Sequence, residues 1–349
     1  MKKSLFLLVL LAILFTACHK KTVTPDNPTI KLNSLYILNQ GNMDHNNSSI
    51  SYYNLDDNSC TADVFTSVNN RGLGDTGNDL KQYGSRMYCL VDLSGTIEVM
   101  DLHSARVIGT IFLGNKEPRR ICFDGPKAYV SCFDGTVIRF DTASLAVEAT
   151  VTVGPNPEGI CVANNKLYVA NSGGLDIVYG TTVSVIDLST FSVMKNITVV
   201  ENPSRLYLAP NQSDVYLISV GNYGNIKPCL QKISSVTDEV VRTFDFEITN
   251  MAFYGSKAYL YSYDYFTYDY TVKVMDVNSE TIVNENFISD GTVLEAPFGI
   301  AVNPQNGDVY VTDAHNFVVN GDVYCFGQDG KKKFSFEVEI NPSEIVFLN

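Results

Sequence analysis

Apolar and polar residues alternate in short runs along residues 33–349, and turns rich in Gly, Asn and Asp separate these runs. Alternation with a period of two predicts β-strands that bury one face. The runs recur in units of roughly 40 to 45 residues, which is the length of one propeller blade. Each unit is marked by a strand with tyrosine at its second position, and these tyrosines are Tyr36, Tyr88, Tyr129, Tyr168, Tyr216, Tyr259 and Tyr310.

Each unit supplies four predicted strands, which we name A to D. Strand B carries the tyrosine, strands C and D follow it, and strand A precedes it, usually after a proline such as Pro118. Residues 77–80 and 248–251 fill the A position without proline. The first unit begins at its B strand, while the chain ends with an additional A strand at residues 345–348. We therefore predict an all-β, seven-bladed β-propeller over residues 33–349, in which the last strand completes the first blade and closes the ring.

The segment ahead of the repeats has the pattern of an export signal. Lys2 and Lys3 precede an apolar run at residues 5–15, which is too short to span a bilayer. The run ends in Phe-Thr-Ala-Cys at residues 15–18, which resembles the lipobox of bacterial lipoproteins. An ordinary secretory signal cut near Ala17 is the alternative.

The lipobox resemblance implies a signal peptide at residues 1–17, a lipidated Cys18 that carries palmitate-like acyl chains, and a polar tether at residues 18–32. It predicts a cell-envelope protein that is anchored to the outer membrane through lipid only and is exposed at the cell surface. Removal of residues 1–17 changes the formal net charge from −13 to −15, because two lysines are lost.

The charge, length and cysteine content of the chain exclude some classes of protein. The chain of 349 residues has 25 Lys and Arg against 38 Asp and Glu, and no basic patch, which argues against nucleic-acid binding. A length of 349 alone would suggest two domains, but the repeats predict one. Seven cysteines besides Cys18 are an odd number, which does not suit a disulfide framework. Six of them lie in apolar strands and are interpreted as small buried hydrophobic residues: Cys89, Cys122, Cys132, Cys161, Cys229 and Cys325.

Loop lengths predict where a ligand binds. The B–C and D–A connections of a propeller share one face, which we call the mouth face. Its B–C loops are short in blades two and three and long in the others, at residues 39–49, 171–182, 219–228, 262–271 and 313–322. Long loops on a rigid scaffold usually carry function, so we predict an open-sided bowl at the mouth.

The candidate ligand-binding residues are aromatic and polar side chains of that bowl. Aromatic faces and amides suit a large, neutral, amphipathic ligand. The alternative for each ring is packing against a neighbouring loop. The candidates are Asn42, His45, Arg119, Arg120, Phe133, Glu158, Asn171, Tyr179, Arg205, Asn222, Tyr223, Tyr263, Tyr265, Phe266, Phe298, His315 and Phe317.

Catalytic motifs do not stand out in the sequence. It has no Gly-x-Ser-x-Gly elbow and no paired-Cys or His spacing typical of a metal site, so we predict a protein without enzymatic activity, catalytic residues, cofactor or resident metal. His45 and His315, in the adjoining blades one and seven, are the candidates for a metal ligand, and solvated surface histidines are the alternative. A calcium site formed by carboxylates at the mouth is a further alternative.

The repeat motifs resemble a known family. Leu-Tyr-Val-Ala-Asn at residues 167–171 and Val-Tyr-Val-Thr-Asp at 309–313 are similar to the YVTN-type repeats of surface-layer and YncE-like seven-bladed propellers. Together with the lipobox and the aromatic mouth, they resemble the cobalamin-capturing surface lipoproteins of Bacteroides. That resemblance implies a monomeric domain that captures a corrinoid for an outer-membrane transporter. Two alternatives stay open: a protein-interaction or surface-layer scaffold, and a metal-dependent lactonase-like hydrolase.

Overall fold

A computed structural model describes residues 29–174 and 177–348. Their strands form seven antiparallel sheets of four strands each, arranged as the blades of a propeller. This confirms the predicted fold. The strands are β1 (Ser34–Asn39), β2 (Ser49–Asn54), β3 (Cys60–Thr61), β4 (Gly77–Tyr83), β5 (Arg86–Val91), β6 (Thr96–Asp101), β7 (Val107–Phe112), β8 (Pro118–Asp124), β9 (Lys127–Cys132), β10 (Thr136–Asp141), β11 (Val147–Thr152), β12 (Pro157–Ala163), β13 (Lys166–Asn171), β14 (Thr182–Asp187), β15 (Ser192–Thr198), β16 (Pro203–Leu208), β17 (Asp214–Ser219), β18 (Cys229–Ser234), β19 (Glu239–Thr243), β20 (Asn250–Tyr254), β21 (Lys257–Tyr263), β22 (Tyr270–Asp276), β23 (Thr281–Asn284), β24 (Pro297–Val302), β25 (Val309–Asp313), β26 (Asn320–Phe326), β27 (Lys332–Ile340) and β28 (Pro342–Leu348).

The first blade joins the two ends of the propeller. Its order is β28-β1-β2-β3, while blades two to seven each take four consecutive strands. Strand β28 pairs antiparallel with β1, with Tyr36 opposite Val346 and Ile37 opposite Ile345. The predicted ring closure by the last strand is therefore confirmed, and β1 has no free edge.

The repeat tyrosines hold neighbouring blades together. All seven are buried, with at most 3% of their surface exposed. The hydroxyl of Tyr36 donates to the backbone oxygen of Leu102 in the C–D turn of the next blade, at 2.9 Å. In the same way Tyr168 in blade four donates to Asp238 in blade five. The tyrosine that marks the repeat is thus a packing residue between blades.

Blade one departs from the predicted four full strands. Its outer strand, β3, has only two residues, and a short helix, α1 (Val64–Asn69), follows it. The Asp63 side chain caps α1 by accepting from the backbone N–H of Thr66 at 3.0 Å. Buried Val64, Phe65 and Val68 join the core shared by blades one and two. The helix therefore covers apolar surface that a longer outer strand would otherwise shield.

The remaining corrections are small. In blade six, strand A begins at Asn250 rather than at Ile248, which is buried just ahead of it. The cysteines of the described chain are free thiols, and burial raises the pKa of Cys132 to about 12. The predicted signal peptide and Cys18 lie outside the described residues. Over 29–174 and 177–348, no helix has the length and apolar character needed to cross a bilayer.

Candidate functional site

The B–C loops and the starts of the A strands lie on the same face of the propeller, as predicted for the mouth face. Pro118, at the start of β8, lies opposite Cys132, where β9 ends and the B–C loop begins, and Pro203 lies opposite Ser219 in the same way. The A strands therefore begin at the level from which the B–C loops rise. In blade six the strands continue higher than predicted, because Tyr263 pairs with Tyr270 and leaves a loop of residues 264–269.

A cavity of about 230 Å³ opens between the B–C loops of blades five and six. We call it the mouth cavity. Tyr223, Tyr265 and Phe266 stand around it with 54%, 47% and 73% of their surfaces exposed. Tyr261, Tyr263 and Phe298 line it at lower levels, and Arg205 lies at its base. Three aromatic rings are thus exposed together at the opening, which is uncommon on a protein surface.

Aromatic contacts hold the exposed rings in place. Tyr263 is only 6% exposed and meets Tyr265 edge-on, with ring centroids 4.9 Å apart. Phe317, from the blade-seven loop, lies 6.2 Å from Tyr265 and 6.0 Å from Phe298. The prediction for Tyr263 therefore needs correction: it supports Tyr265 from below and is not an exposed ring of the bowl.

Two further elements shape the cavity wall. Asp264 Oδ1 accepts hydrogen bonds from the backbone N–H groups of Phe266, at 2.8 Å, and Thr267, at 3.2 Å. These bonds fix the tip of the blade-six loop and lower the pKa of Asp264. Across the opening, Tyr179 of blade four meets Tyr223 edge-on at 6.1 Å.

The opposite side of the mouth, in blades two to four, is ionic. Arg119 is hydrogen-bonded to Asp92 and to Glu158, the latter from Nη2 at 2.7 Å, and its guanidinium lies 4.8 Å from the ring centre of Phe133. Burial raises the pKa of Asp92 to about 6, although Arg119 opposes this rise. Arg119, Glu158 and Phe133 therefore form contacts between blades and do not line the mouth cavity.

The predicted amides have mainly structural roles. Asn171 is fully buried, where its Oδ1 accepts from the Gly154 N–H and its Nδ2 donates to Thr182 and Ser184. It therefore does not face the bowl as predicted. Asn222 Oδ1 accepts two N–H bonds within its own loop. Asn42 Nδ2 donates to the backbone oxygen of Phe317 at 2.8 Å and links blades one and seven.

The two histidines bind different partners. His45 Nδ1 lies 2.7 Å from the backbone oxygen of Met43, whereas His315 Nε2 lies 3.1 Å from Asp322 Oδ2. Burial lowers the pKa of His315, but the nearby carboxylates, Asp313 first, outweigh this and raise it. In the described part of the chain, no group of three His, Cys, Asp or Glu side chains is arranged to hold a metal ion.

Below the mouth cavity, a cluster of charged side chains crosses the central channel. We call Asp79, Lys81, Arg120, Arg205 and Glu344 the channel ring; they line a cavity of about 430 Å³. Glu344 is its centre, with Oε2 3.1 Å from Lys81 Nζ and Oε1 3.0 Å from Arg120 Nη1. Arg205 reaches the same Oε1 at 3.4 Å, from blade five to blade one.

The strand register explains this convergence. Most members occupy the A-strand position opposite the residue two places after the repeat tyrosine. That level contains Glu344, Asp79, Arg120, Arg205, Asn250 and Gly299. Sequence analysis missed Glu344, Asp79 and Lys81. The available signal was a charged residue at one equivalent position in four of the A strands. Arg120, predicted at the mouth, belongs to this lower level.

Several solved structures have a similar fold. A quinonprotein alcohol dehydrogenase-like protein from Bacteroides thetaiotaomicron is 16% identical, with a TM-score of 0.67 over 91% of this chain and 78% of its own. Hydrazine synthase from Kuenenia stuttgartiensis is 16% identical, with a TM-score of 0.58 over 70% and 74%. The computationally designed Ika8 protein is 14% identical, with a TM-score of 0.53 over 76% of each chain. At these identities the likeness extends to the fold alone.

Sequence comparison places the chain in one family. No curated protein matches it. Residues 33–347, which include all seven blades, match a family described as a domain of unknown function, and the chain therefore belongs to the DUF5074 family.

Proposed function

We propose that this protein is a non-catalytic envelope lipoprotein that captures an amphipathic small molecule in the mouth cavity. The observation that carries the proposal is the set of three exposed rings, Tyr223, Tyr265 and Phe266, around a cavity of about 230 Å³. Exposed aromatic faces above a few polar groups are typical of ligand sites. A corrinoid is our best candidate ligand, because the aromatic mouth and the lipobox resemble those of cobalamin-capturing lipoproteins.

The path of the chain into the propeller supports an anchored capture role. Residues 31–33 lie at the face opposite the mouth, where Asn33 Nδ2 donates to Asp56 Oδ1 at 2.6 Å and Lys31 Nζ lies 3.6 Å from Asp57 Oδ2. Both partners belong to the C–D turn of blade one. The described chain therefore enters the propeller on the face opposite the mouth.

Calorimetry tests the proposed ligand. A fragment of residues 29–349 retains the closed ring together with Ile30, which packs on the first core. We expect cobalamin and cobinamide to release or absorb heat on binding at micromolar concentrations. Absence of heat with both compounds would remove the corrinoid proposal. Heat with cobalamin alone would show that the ligand group missing from cobinamide is recognised.

A second candidate function is docking of an outer-membrane transporter on the same rim. Val318 and Val319, which follow Phe317 in the blade-seven loop, are 65% and 49% exposed. A photo-crosslinking residue at Val318 is expected to capture one such transporter in whole cells. The same residue at Val236, exposed in a C–D turn on the opposite face, is the matched control. Equal capture from both positions would contradict docking at the mouth.

A further inference from the structure

The charges of the channel ring do not balance. Lys81 and Arg120 are within 3.1 Å and 3.0 Å of Glu344 and within 3.2 Å and 3.7 Å of Asp79. These two cations already match the two carboxylates. Arg205 is therefore a surplus cation, and the ring carries one net positive charge inside an acidic protein.

Of the three cations around Glu344, Arg205 makes the longest contact with its carboxylate. Within the described residues, its one ion pair is the 3.4 Å contact with Glu344 Oε1, an oxygen that already accepts from Arg120 at 3.0 Å. Its other near neighbours are Tyr207, whose side chain is hydrogen-bonded to it, and Tyr261. A guanidinium has five N–H donors, so most of those on Arg205 have no ionic partner. Only 22% of this side chain is exposed, and a mostly buried cation without its own counter-ion is costly.

Arg205 lies where its surplus charge can contact a ligand in the mouth cavity. It lines both the channel cavity and the base of the mouth cavity, under Tyr261, Tyr265 and Phe298. A molecule that enters between the exposed rings meets this guanidinium at the end of its path. Glycines in two A strands allow adjacent blades to approach closely near the channel. A Cβ on Gly299 would lie 2.3 Å from the Ser343 backbone oxygen, and one on Gly159 would lie 2.6 Å from that of Ser204.

We infer that the mouth cavity binds amphipathic anions, with the apolar body of the ligand among the aromatic rings and its carboxylate, sulfonate or phosphate group on Arg205. This inference rests on the proposed function and refines it, because the sequence favours a neutral ligand. Charge-assisted hydrogen bonds to a planar guanidinium supply the specificity.

A matched pair of fluorescent probes tests the inference. 8-Anilinonaphthalene-1-sulfonate and N-phenyl-1-naphthylamine share the same aromatic body, but only the first is an anion. In the fragment of residues 29–349, Arg205→Gln is expected to weaken sulfonate binding by about tenfold and to change binding of the neutral probe by less than about twofold. The control Lys227→Gln removes the same charge from the rim of the same cavity and should change sulfonate binding by less than about threefold.

Arg205→Lys separates charge from folding. It keeps the cation but not the planar donor set, so sulfonate binding should be weaker than in the wild type and stronger than in Arg205→Gln. Urea midpoints of all variants are measured alongside. Equal weakening of both probes by Arg205→Gln, or an equal effect of Lys227→Gln on the sulfonate, would overturn the inference while leaving the cavity as a binding site. Failure of the wild type to bind either probe would instead overturn the proposed function.

Discussion

The two sides of the mouth contain the same kinds of residue in opposite situations. In blades two to four, Arg119 is paired with two carboxylates and covered by Phe133. In blades five to seven, the aromatic rings are exposed and Arg205 shares one carboxylate with two other cations. The comparison teaches that residue type alone does not identify a ligand site. A ligand site is distinguished by donors without partners and by exposed ring surface, because neither is used in holding the fold together.

The largest expected effect tests the ionic side. Arg119→Met leaves Asp92 and Glu158 without their shared cation, and we expect it to lower the free energy of unfolding by about 3 kcal/mol in urea titrations. Lys116→Met breaks the more exposed pair with Asp134 and should cost less than about 1 kcal/mol. Similar small losses in both variants would contradict a structural role for Arg119.

Acid titration tests whether the channel ring stabilises the fold. Burial alone would raise the pKa of Glu344, but Lys81, Arg120 and Arg205 outweigh it and lower the pKa from 4.5 to about 2. A lowered folded-state pKa gives stability that is present above pH 4.5 and is lost as the pH falls toward 2. We expect a loss on the order of 2 kcal/mol across that window. Urea midpoints should fall more steeply there in the wild type than in Glu344→Gln, and parallel curves would contradict the assignment.

The aromatic side should lose binding without losing stability. Replacing Tyr265 and Phe266 together by Ala removes two exposed rings, so we expect about tenfold weaker binding of N-phenyl-1-naphthylamine at an unchanged melting temperature. Phe112→Ala is the matched control, since that ring is 79% exposed on the outer strand of blade two. A large fall in melting temperature for the double variant would show that these rings are part of the core.

The smallest expected effect concerns His315, on the rim of blade seven. Its pKa is raised, so its ion pairs with Asp322 and Glu295 stabilise the fold below pH 6.5 and are lost as the pH rises through the raised value. An NMR titration of the imidazole should give a pKa above 6.5, and Asp322→Asn should lower it. No change in Asp322→Asn would contradict this pairing.

The fold follows from the sequence because its signals are local and repeated. Tyr168, for example, is recognisable from the apolar residues beside it, and the extra A strand at residues 345–348 implies ring closure. Helix α1 was not predictable, because it follows a shortened outer strand in one blade only.

The candidate site was predicted only in part, for a different reason. Loop length identified Tyr265 and Phe266, but pairing across the ring is a tertiary property. Nothing near Asn171 in sequence indicates that Thr182 and Ser184 use its amide, and nothing near Glu344 indicates that Arg205, which is far away in the chain, reaches it.

Closure of the first blade by β28 also fixes an order of events during synthesis. Strand β1 emerges from the ribosome early, but its partner β28 lies about 300 residues later, after the other strands of the propeller. Until then, the first blade has an open edge, and a contact of such high sequence separation forms slowly. Loss of residues 342–348 would thus leave six complete blades and a first blade of three strands, whose open β1 edge favours aggregation.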